Sequence, residues 1–174
     1  MSASFELRRL TTPQDLFQAA AEDLIATATL AIEQRGRFTI ALSGGSTPRN
    51  LYTLIAANAS TSLPWPQVFF FFGDERHVAP TDAESNYRMA EETILSKVPV
   101  PAANIFRIPA ENPDASAVAQ SYEQTLIKFF AVKPGDFPRF DMILLAWDPT
   151  DTPRPCFRKL RRYRRNRVWS SPTG

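Results

Sequence analysis

Apolar positions follow two different spacings along the first 145 residues, one typical of helices and one of buried strands. After Thr12 and Pro13, apolar residues recur at every third or fourth position, which predicts a helix that runs to about Gln34. Gly36 ends this helix. Residues 38–42 then form a short apolar run in front of a glycine-rich turn, a pattern that indicates a buried parallel strand.

The same alternation of strand and helix continues to residue 145. It predicts further strands over residues 5–10, 68–72, 105–108 and 140–145, and further helices that begin at Thr47 as N-cap with Pro48 in the first turn, and that cover residues 85–96 and 114–130. Strands that alternate with helices in this way are typical of parallel sheets. We therefore expect an α/β fold, a doubly wound and mainly parallel sheet with helices on both faces.

The composition changes at Ala146, where a stretch rich in Pro and Arg replaces the turn and helix that the pattern predicts. Residues 1–145 carry 12 Lys and Arg against 16 Asp and Glu, whereas residues 146–174 carry 8 against 2. The formal net charge of +2 therefore comes from the tail and does not indicate a nucleic-acid partner for the rest of the chain. We predict a folded domain over residues 1–145 and a disordered basic tail over residues 146–174.

The composition gives no support for a metal site or a membrane segment. The chain has one cysteine, Cys156, and one histidine, His77, so neither an internal disulfide nor a zinc cluster is expected. No stretch is apolar and long enough to cross a bilayer, and the first twenty residues carry charges where a secretory segment would be apolar. We expect a cytoplasmic protein that works without a cofactor, as a monomer or a weak homo-oligomer.

The loop after the strand at residues 38–42 is the first candidate site, since ligands of open α/β sheets bind at the carboxyl ends of the strands. Ser43, Gly44, Gly45, Ser46 and Thr47 combine two glycines, three hydroxyls and the start of a helix. Backbone N–H groups in such a turn can form a cradle for an anion, which predicts a small phosphorylated ligand. The alternative is a tight strand-to-helix connection without a ligand.

The loop after the strand at residues 68–72 is the second candidate site, and it holds Asp74, Glu75 and Arg76. Arg76 is suited to clamp a phosphate or a carboxylate, and Asp74 is suited to hold a water or a sugar hydroxyl. The alternative is a solvated turn with a local ion pair. We do not assign His77 as a base, because a lone histidine outside a strand is more often a surface or capping residue.

Four segments together resemble the 6-phosphogluconolactonase family in order and spacing. They are Ala-Leu-Ser-Gly-Gly-Ser-Thr-Pro at residues 41–48, Phe-Gly-Asp-Glu-Arg at 72–76, Ser-Asn-Tyr at 85–87 and Phe-Asp-Met-Ile-Leu-Leu at 140–145. The resemblance implies the fold of glucosamine-6-phosphate deaminases and hydrolysis, without metal, of the δ-lactone of 6-phosphogluconate. The Asp-Glu-Arg triplet favours lactonases over deaminases, which typically have Asp-Glu-Tyr in that loop.

The resemblance also implies roles for the two loops. The substrate phosphate is expected on residues 43–47 with help from Arg76. Asn86 lies near a predicted helix start, from which it can reach the pocket as a binding residue, with helix capping or packing as the default interpretation. Asp74 and Arg76 are the expected catalytic residues, with Asp74 orienting groups near the lactone carbonyl rather than removing a proton.

The chain departs from the family after Leu145. Members of the family continue with Gly-Met-Gly-Pro-Asp-Gly-His-Thr-Ala-Ser-Leu-Phe-Pro, whose histidine is the proposed general base. A single lost base would put residues 146–174 out of frame and account for the whole difference. The fold is then truncated on its C-terminal side, and three alternatives stay open: an inactive fragment that binds sugar phosphates, a deaminase-like isomerase and, favoured least, a basic arm for nucleic acid or membrane.

Overall fold

A four-stranded parallel sheet forms the centre of the part of the chain that this computed structural model describes, residues 7–59, 63–145 and 168–170. The strands are β1 (Leu7–Arg9), β2 (Phe38–Leu42), β3 (Val68–Phe72), β4 (Ile105–Phe106), β5 (Met142–Ile143) and β6 (Val168–Ser170). The helices are α1 (Pro13–Arg35), α2 (Ser46–Ala59), α3 (Asn86–Ala90), which continues as a wider π turn over Glu91–Leu95, and α4 (Ala115–Phe130). Short 3₁₀ turns at Trp65–Gln67 and Ala102–Asn104 lead into β3 and β4.

The order of strands in the central sheet is β4-β3-β2-β5, and all three pairs are parallel. The chain passes from β2 to β3 to β4 in one direction and then returns to the other side of β2 as β5. Such a reversal opens a crevice at the carboxyl ends of the two strands that flank it, and ligands of open α/β sheets bind there. In this sheet the crevice lies beyond Leu42 of β2 and Ile143 of β5.

The predicted fold class is confirmed, with helices on both faces of the sheet. On one face, side chains of β2 and β3 pack with those of α1, α2 and α3 in one apolar cluster, which includes Leu24, Ile40, Leu42, Tyr52, Ile55, Phe70, Met89 and Ile94. On the other face, Phe71 stacks on Phe106 at 4.6 Å and contacts Phe129 of α4 at 5.0 Å between ring centroids. Each buried phenylalanine contributes about 1.5–3 kcal/mol to stability.

Two strands are shorter than the sequence predicts, and polar side chains form hydrogen bonds with the backbone at their ends. β4 spans two residues, and at its end the Tyr122 hydroxyl shares its one proton between the Phe72 carbonyl at 3.1 Å and the Phe106 carbonyl at 3.3 Å. β5 also spans two residues, and before it begins the Asp141 carboxylate accepts from the backbone N–H of Thr39 at 2.8 Å. Regular pairing is therefore shorter than the apolar runs at residues 105–108 and 140–145 predict.

Helix ends agree with the sequence prediction except at α2. Thr12 caps α1 by accepting from the Asp15 N–H, and Gly36 ends it with a φ of 71°. α2 begins at Ser46, so Thr47 lies within its first turn and is not its N-cap. Gly45, with a φ of 105°, is the residue that turns the chain into this helix.

The N-terminal strand is present but does not join the central sheet. Leu7–Arg9 pairs in parallel with Val168–Ser170 to form a separate two-stranded sheet, and the predicted residues 5 and 6 lie outside the described part of the chain. The rest of the predicted tail, residues 146–167 and 171–174, also lies outside it. Among the described residues, no helix combines the length and apolar character needed to cross a membrane.

Candidate functional site

The end of β2 is held by a buried tyrosine hydroxyl from α2. The Tyr52 hydroxyl accepts from the Ser43 N–H at 3.0 Å and donates to the Ser43 carbonyl at 2.9 Å. Burial raises the pKa of Tyr52 above its usual value, and the negative charge of Asp74 adds to that rise. The hydroxyl is therefore a neutral group that fixes Ser43, the first residue of the candidate cradle (residues 43–47), and interacts electrostatically with the Asp74 carboxylate.

The two glycines of the cradle meet different requirements. Gly45 supplies the positive φ, and its carbonyl accepts from the Arg49 N–H at 3.1 Å within the first turn of α2. Gly44 has no room for a side chain, because a Cβ there would lie 2.0 Å from Oδ1 of Asn86. Ser46 and Thr47 are exposed at the start of the helix, where backbone N–H groups lack helical partners and attract anions.

The end of β3 is held in the same way from the opposite face of the sheet. The Tyr122 hydroxyl accepts from the Phe72 N–H at 3.0 Å and donates to the Phe72 carbonyl at 3.1 Å. Burial raises the pKa of Tyr122, so this hydroxyl is also neutral. The next residue, Gly73, donates its N–H to the Leu42 carbonyl at 2.8 Å, which keeps the two site loops side by side.

Asn86 lies between the two loops and is buried. Its Nδ2 donates to the Asp74 carbonyl at 3.2 Å, while its side-chain amide packs against Gly44. The structure thus brings Gly44, Asp74 and Asn86 together at the carboxyl ends of β2 and β3. Asn86 both packs at the start of α3 and touches the cradle, so its side chain does not simply cap the helix, a task that Ser85 performs.

Glu75 and Arg76 differ in how far their charges are engaged. The Glu75 carboxylate accepts hydrogen bonds from the backbone N–H groups of Arg76, Asn86 and Tyr87 and from the Ser85 hydroxyl. The half-buried Arg76 guanidinium makes no hydrogen bond or ion pair within the described part of the chain. The loop therefore offers one cation for an anionic ligand and no free Glu75 carboxylate.

His77 lies outside this cluster, as a surface residue. Its ring nitrogen Nε2 is 3.0 Å from the Asn112 carbonyl oxygen, and the side chain is exposed. Within residues 7–59, 63–145 and 168–170, no group of three or more His, Cys, Asp or Glu side chains is arranged to hold a metal ion.

Sequence reasoning missed the two tyrosines and the bonding of Glu75. A signal existed for Tyr52, since it lies between Leu51 and Ile55 on the buried face of α2, where a hydroxyl needs a hydrogen-bond partner. No comparable signal existed for Glu75, because three of its four partners are backbone N–H groups.

Comparisons with known proteins give consistent matches. Residues 11–147 match the family described as glucosamine-6-phosphate isomerases/6-phosphogluconolactonase. The chain is 48% identical over 125 residues to a 6-phosphogluconolactonase from a Nostoc species, covering 71% of this chain and 51% of the relative. It is 44% identical over 137 residues to a 6-phosphogluconolactonase from a Synechocystis species, covering 79% and 56%.

Solved structures agree with the sequence relatives. The 6-phosphogluconolactonase from Trypanosoma cruzi superposes with a TM-score of 0.71 at 27% identity, over 82% of this chain and 58% of that chain. The enzyme from Trypanosoma brucei superposes with a TM-score of 0.68 at 29% identity, over 74% and 52%. The chain spans about half the length of the curated relatives that it matches.

Proposed function

Because this chain belongs to the family of glucosamine-6-phosphate isomerases and 6-phosphogluconolactonases, we propose that the protein hydrolyses 6-phospho-D-glucono-1,5-lactone to 6-phospho-D-gluconate in the oxidative pentose phosphate pathway. The observation that carries the proposal is an anion cradle on residues 43–47 that Asn86 joins, at the strand ends, to the loop that holds Asp74 and Arg76. The names of the curated relatives support the choice of lactone as substrate.

In this proposal the substrate phosphate lies on the N–H groups at the start of α2. Ser43, Gly44 and Gly45 shape the backbone, Ser46 and Thr47 add hydroxyls, and the Arg76 guanidinium adds positive charge. The helix and the guanidinium together offset the charge of the phosphate, which fixes the distal end of the substrate. Fixing that end orients the lactone ring relative to the Asp74 carboxylate.

The reaction needs a water to attack the lactone carbonyl carbon, the ring C–O bond to break and a proton to reach the released ring oxygen. Asp74 is proposed to orient the water or a sugar hydroxyl through its carboxylate. The only imidazole among the described residues, that of His77, is bound at the surface to the Asn112 carbonyl. The described residues therefore account for binding and orientation, and we assign the proton-removing base to none of them.

Two alternatives accompany the proposal. A chain that lacks the histidine-bearing segment would bind sugar phosphates without turning them over, since loss of a general base costs a factor of about 100 to 10,000 in rate. A monomeric glucosamine-6-phosphate deaminase shares the fold with a TM-score of 0.63 at 18% identity, a likeness that concerns the fold alone. The Asp-Glu-Arg loop is the feature by which we favour a lactonase.

We also propose a domain organisation, a location and an oligomeric state for the protein. Residues 1–145 form the lactonase domain and residues 146–174 are read out of frame; the end of the family match at residue 147 supports this boundary. Resequencing the gene across the codons for residues 145–159 tests it, and an uninterrupted frame identical to this sequence contradicts it. We further propose a cytoplasmic monomer or weak homo-oligomer that uses no metal or nucleic acid.

The decisive experiment measures binding and turnover on the 174-residue chain. Binding of 6-phosphogluconate is measured by calorimetry, lactone hydrolysis by the rate of acid release, and deaminase activity by ammonia released from glucosamine 6-phosphate. We expect Arg76→Ala to weaken binding about tenfold, as loss of a charged hydrogen bond does. The control is Arg139→Ala, which removes an exposed arginine that precedes β5, at the opposite ends of the parallel strands from the site, and leaves binding unchanged.

Each outcome has a separate meaning. Hydrolysis confirms the lactonase, and binding without hydrolysis identifies the inactive fragment. Ammonia release identifies the deaminase. Absence of binding, together with absence of both activities, contradicts the proposed function.

A further inference from the structure

Glu75 joins two segments of chain that are ten residues apart. Oε1 of its carboxylate accepts from the backbone N–H groups of Arg76 at 2.8 Å and Asn86 at 2.7 Å. Oε2 accepts from the Tyr87 N–H at 2.8 Å and from the Ser85 hydroxyl at 3.2 Å. One side chain therefore fixes the start of α3 against the loop that follows β3.

These bonds leave Glu75 unsuited to proton transfer. Both oxygens face N–H or O–H donors, and a protonated carboxyl would turn one acceptor into a donor against them. The bonds also help to cap α3, because the Ser85 hydroxyl accepts only from the Arg88 N–H at 3.1 Å and the N–H groups of Asn86 and Tyr87 have no acceptor within the helix. What the extra bonds add is a fixed position for Asn86, whose own N–H is held by Glu75.

Asn86 links the start of α3 to the cradle through direct contacts. Its side chain is 5% exposed, and its Nδ2 donates to the Asp74 carbonyl. Its Oδ1 lies so close to Gly44 that a Cβ on this glycine would be only 2.0 Å away. Because packed groups in contact cannot move independently, a shift of α3 changes the backbone of the cradle.

We propose that Glu75 is a positioning residue that holds the Gly44–Gly45 backbone in its ligand-binding conformation through Asn86. The inference rests on the proposed function for the identity of the ligand, but the conformational link exists without it. A carboxylate is required at this position because it alone offers acceptors in both directions.

Glu75→Gln tests the link, since glutamine replaces one acceptor oxygen by an NH₂ group that faces donors. In ¹⁵N-labelled 174-residue chain without ligand, we expect the amide signals of Gly44 and Gly45 to shift. Affinity for 6-phosphogluconate, followed on the same signals, is expected to fall about tenfold, the effect of one lost buried hydrogen bond to a charged group. The matched control is Glu84→Gln, which removes the same charge from an exposed side chain just before Ser85 and leaves both readouts unchanged.

A merely structural role predicts a different result. Glu75→Gln would then lower the midpoint of thermal unfolding while the folded fraction kept wild-type glycine signals and wild-type affinity, and that result overturns the proposal. If Glu75→Gln does not fold, Ser85→Ala removes the longest of the four bonds together with the cap on the Arg88 N–H, and the two glycine signals must still move. If the unaltered chain binds no sugar phosphate, the proposed function fails, whereas the ligand-free glycine signals still decide the role of Glu75.

Discussion

The ends of β2 and β3 are anchored alike and then diverge. At each end, one buried tyrosine hydroxyl binds both the N–H and the carbonyl of a single residue, Tyr52 on Ser43 and Tyr122 on Phe72. Each hydroxyl satisfies two backbone groups that have left the strand ladder. The anchors come from opposite faces of the sheet, one from α2 and one from α4.

The loops that follow the two anchors differ in whether their backbone N–H groups are bonded within the protein or left open to a ligand. After Phe72, the loop is closed on itself and on α3, because the Glu75 carboxylate accepts four hydrogen bonds there. After Ser43, the chain turns through Gly45 into α2 with exposed hydroxyls and the N–H groups of a helix start. Similar anchors therefore support a loop closed by hydrogen bonds after β3 and an open anion cradle, residues 43–47, after β2. We expect ligand binding to be most sensitive to changes in the residues that follow β2.

The largest effect is expected for Gly44→Ala. The new Cβ would meet Oδ1 of Asn86 at 2.0 Å, so the amide must leave its place between the loops. Overpacking of this kind costs about 1–3 kcal/mol of unfolding free energy, and we expect binding of 6-phosphogluconate to be lost. Urea denaturation and calorimetric titration measure the two effects.

Gly36→Ala is the control for this change. Gly36 has a φ of 71°, but no atom lies within 4 Å of the position that a Cβ would take, so alanine there costs only backbone strain, about 1–2 kcal/mol. Binding should be unaffected, because Gly36 ends α1 away from the cradle. Wild-type affinity in Gly44→Ala would show that the Asn86 contact is irrelevant to the ligand.

The pattern of the chain was sufficient to predict the four strands of the central sheet, and it led to a candidate site at the ends of two of them. Buried parallel strands are continuous apolar runs, so residues 38–42 and 68–72 were recognised with their bounds. The strand-end rule then directed attention to the loops after them, and the structure brings Gly44, Asp74 and Asn86 together there. These conclusions needed only local spacing and residue type.

What the sequence did not reveal depends on contacts with the backbone. Glu75 looked like one of three candidate charges, but its hydrogen bonds to N–H groups ten or more residues away leave no trace in side-chain identity. The contact of the Tyr122 hydroxyl with the Phe106 carbonyl at the end of β4 is likewise made from α4, far away in the sequence. Contacts of this kind are set by the fold, and local patterns carry no information about them.

Tyr52→Phe and Tyr122→Phe distinguish the loss of a strand-end anchor from the loss of ligand affinity. We expect their effect on affinity to be smaller than that of Gly44→Ala. Each change leaves a backbone N–H and a carbonyl without a partner, which costs about 1–3 kcal/mol of unfolding free energy. Only Tyr52→Phe should also weaken binding of 6-phosphogluconate, because Ser43 leads directly into the cradle while Glu75 still holds the loop after Phe72. Urea denaturation and titration of both variants measure this difference, and equal losses of affinity would contradict the comparison.

The smallest effect is expected at a third strand end, where Arg107 follows β4 and pairs with Glu111 at 2.6 and 2.8 Å. The hydrogen bonds from Arg107 lower the pKa of Glu111 from 4.5 to about 2. A lowered carboxyl pKa stabilises the folded state above the unfolded pKa, and this stability is lost as the pH falls from about 4.5 through about 2. Since the two side chains are 34% and 38% exposed and solvent screens their charges, Glu111→Gln should cost less than about 1 kcal/mol at pH 7, and less still in high salt. Urea denaturation of both proteins at pH 7, 4 and 2.5 should show the difference shrinking with acidity, whereas a difference that stays constant would assign the effect to packing rather than to charge.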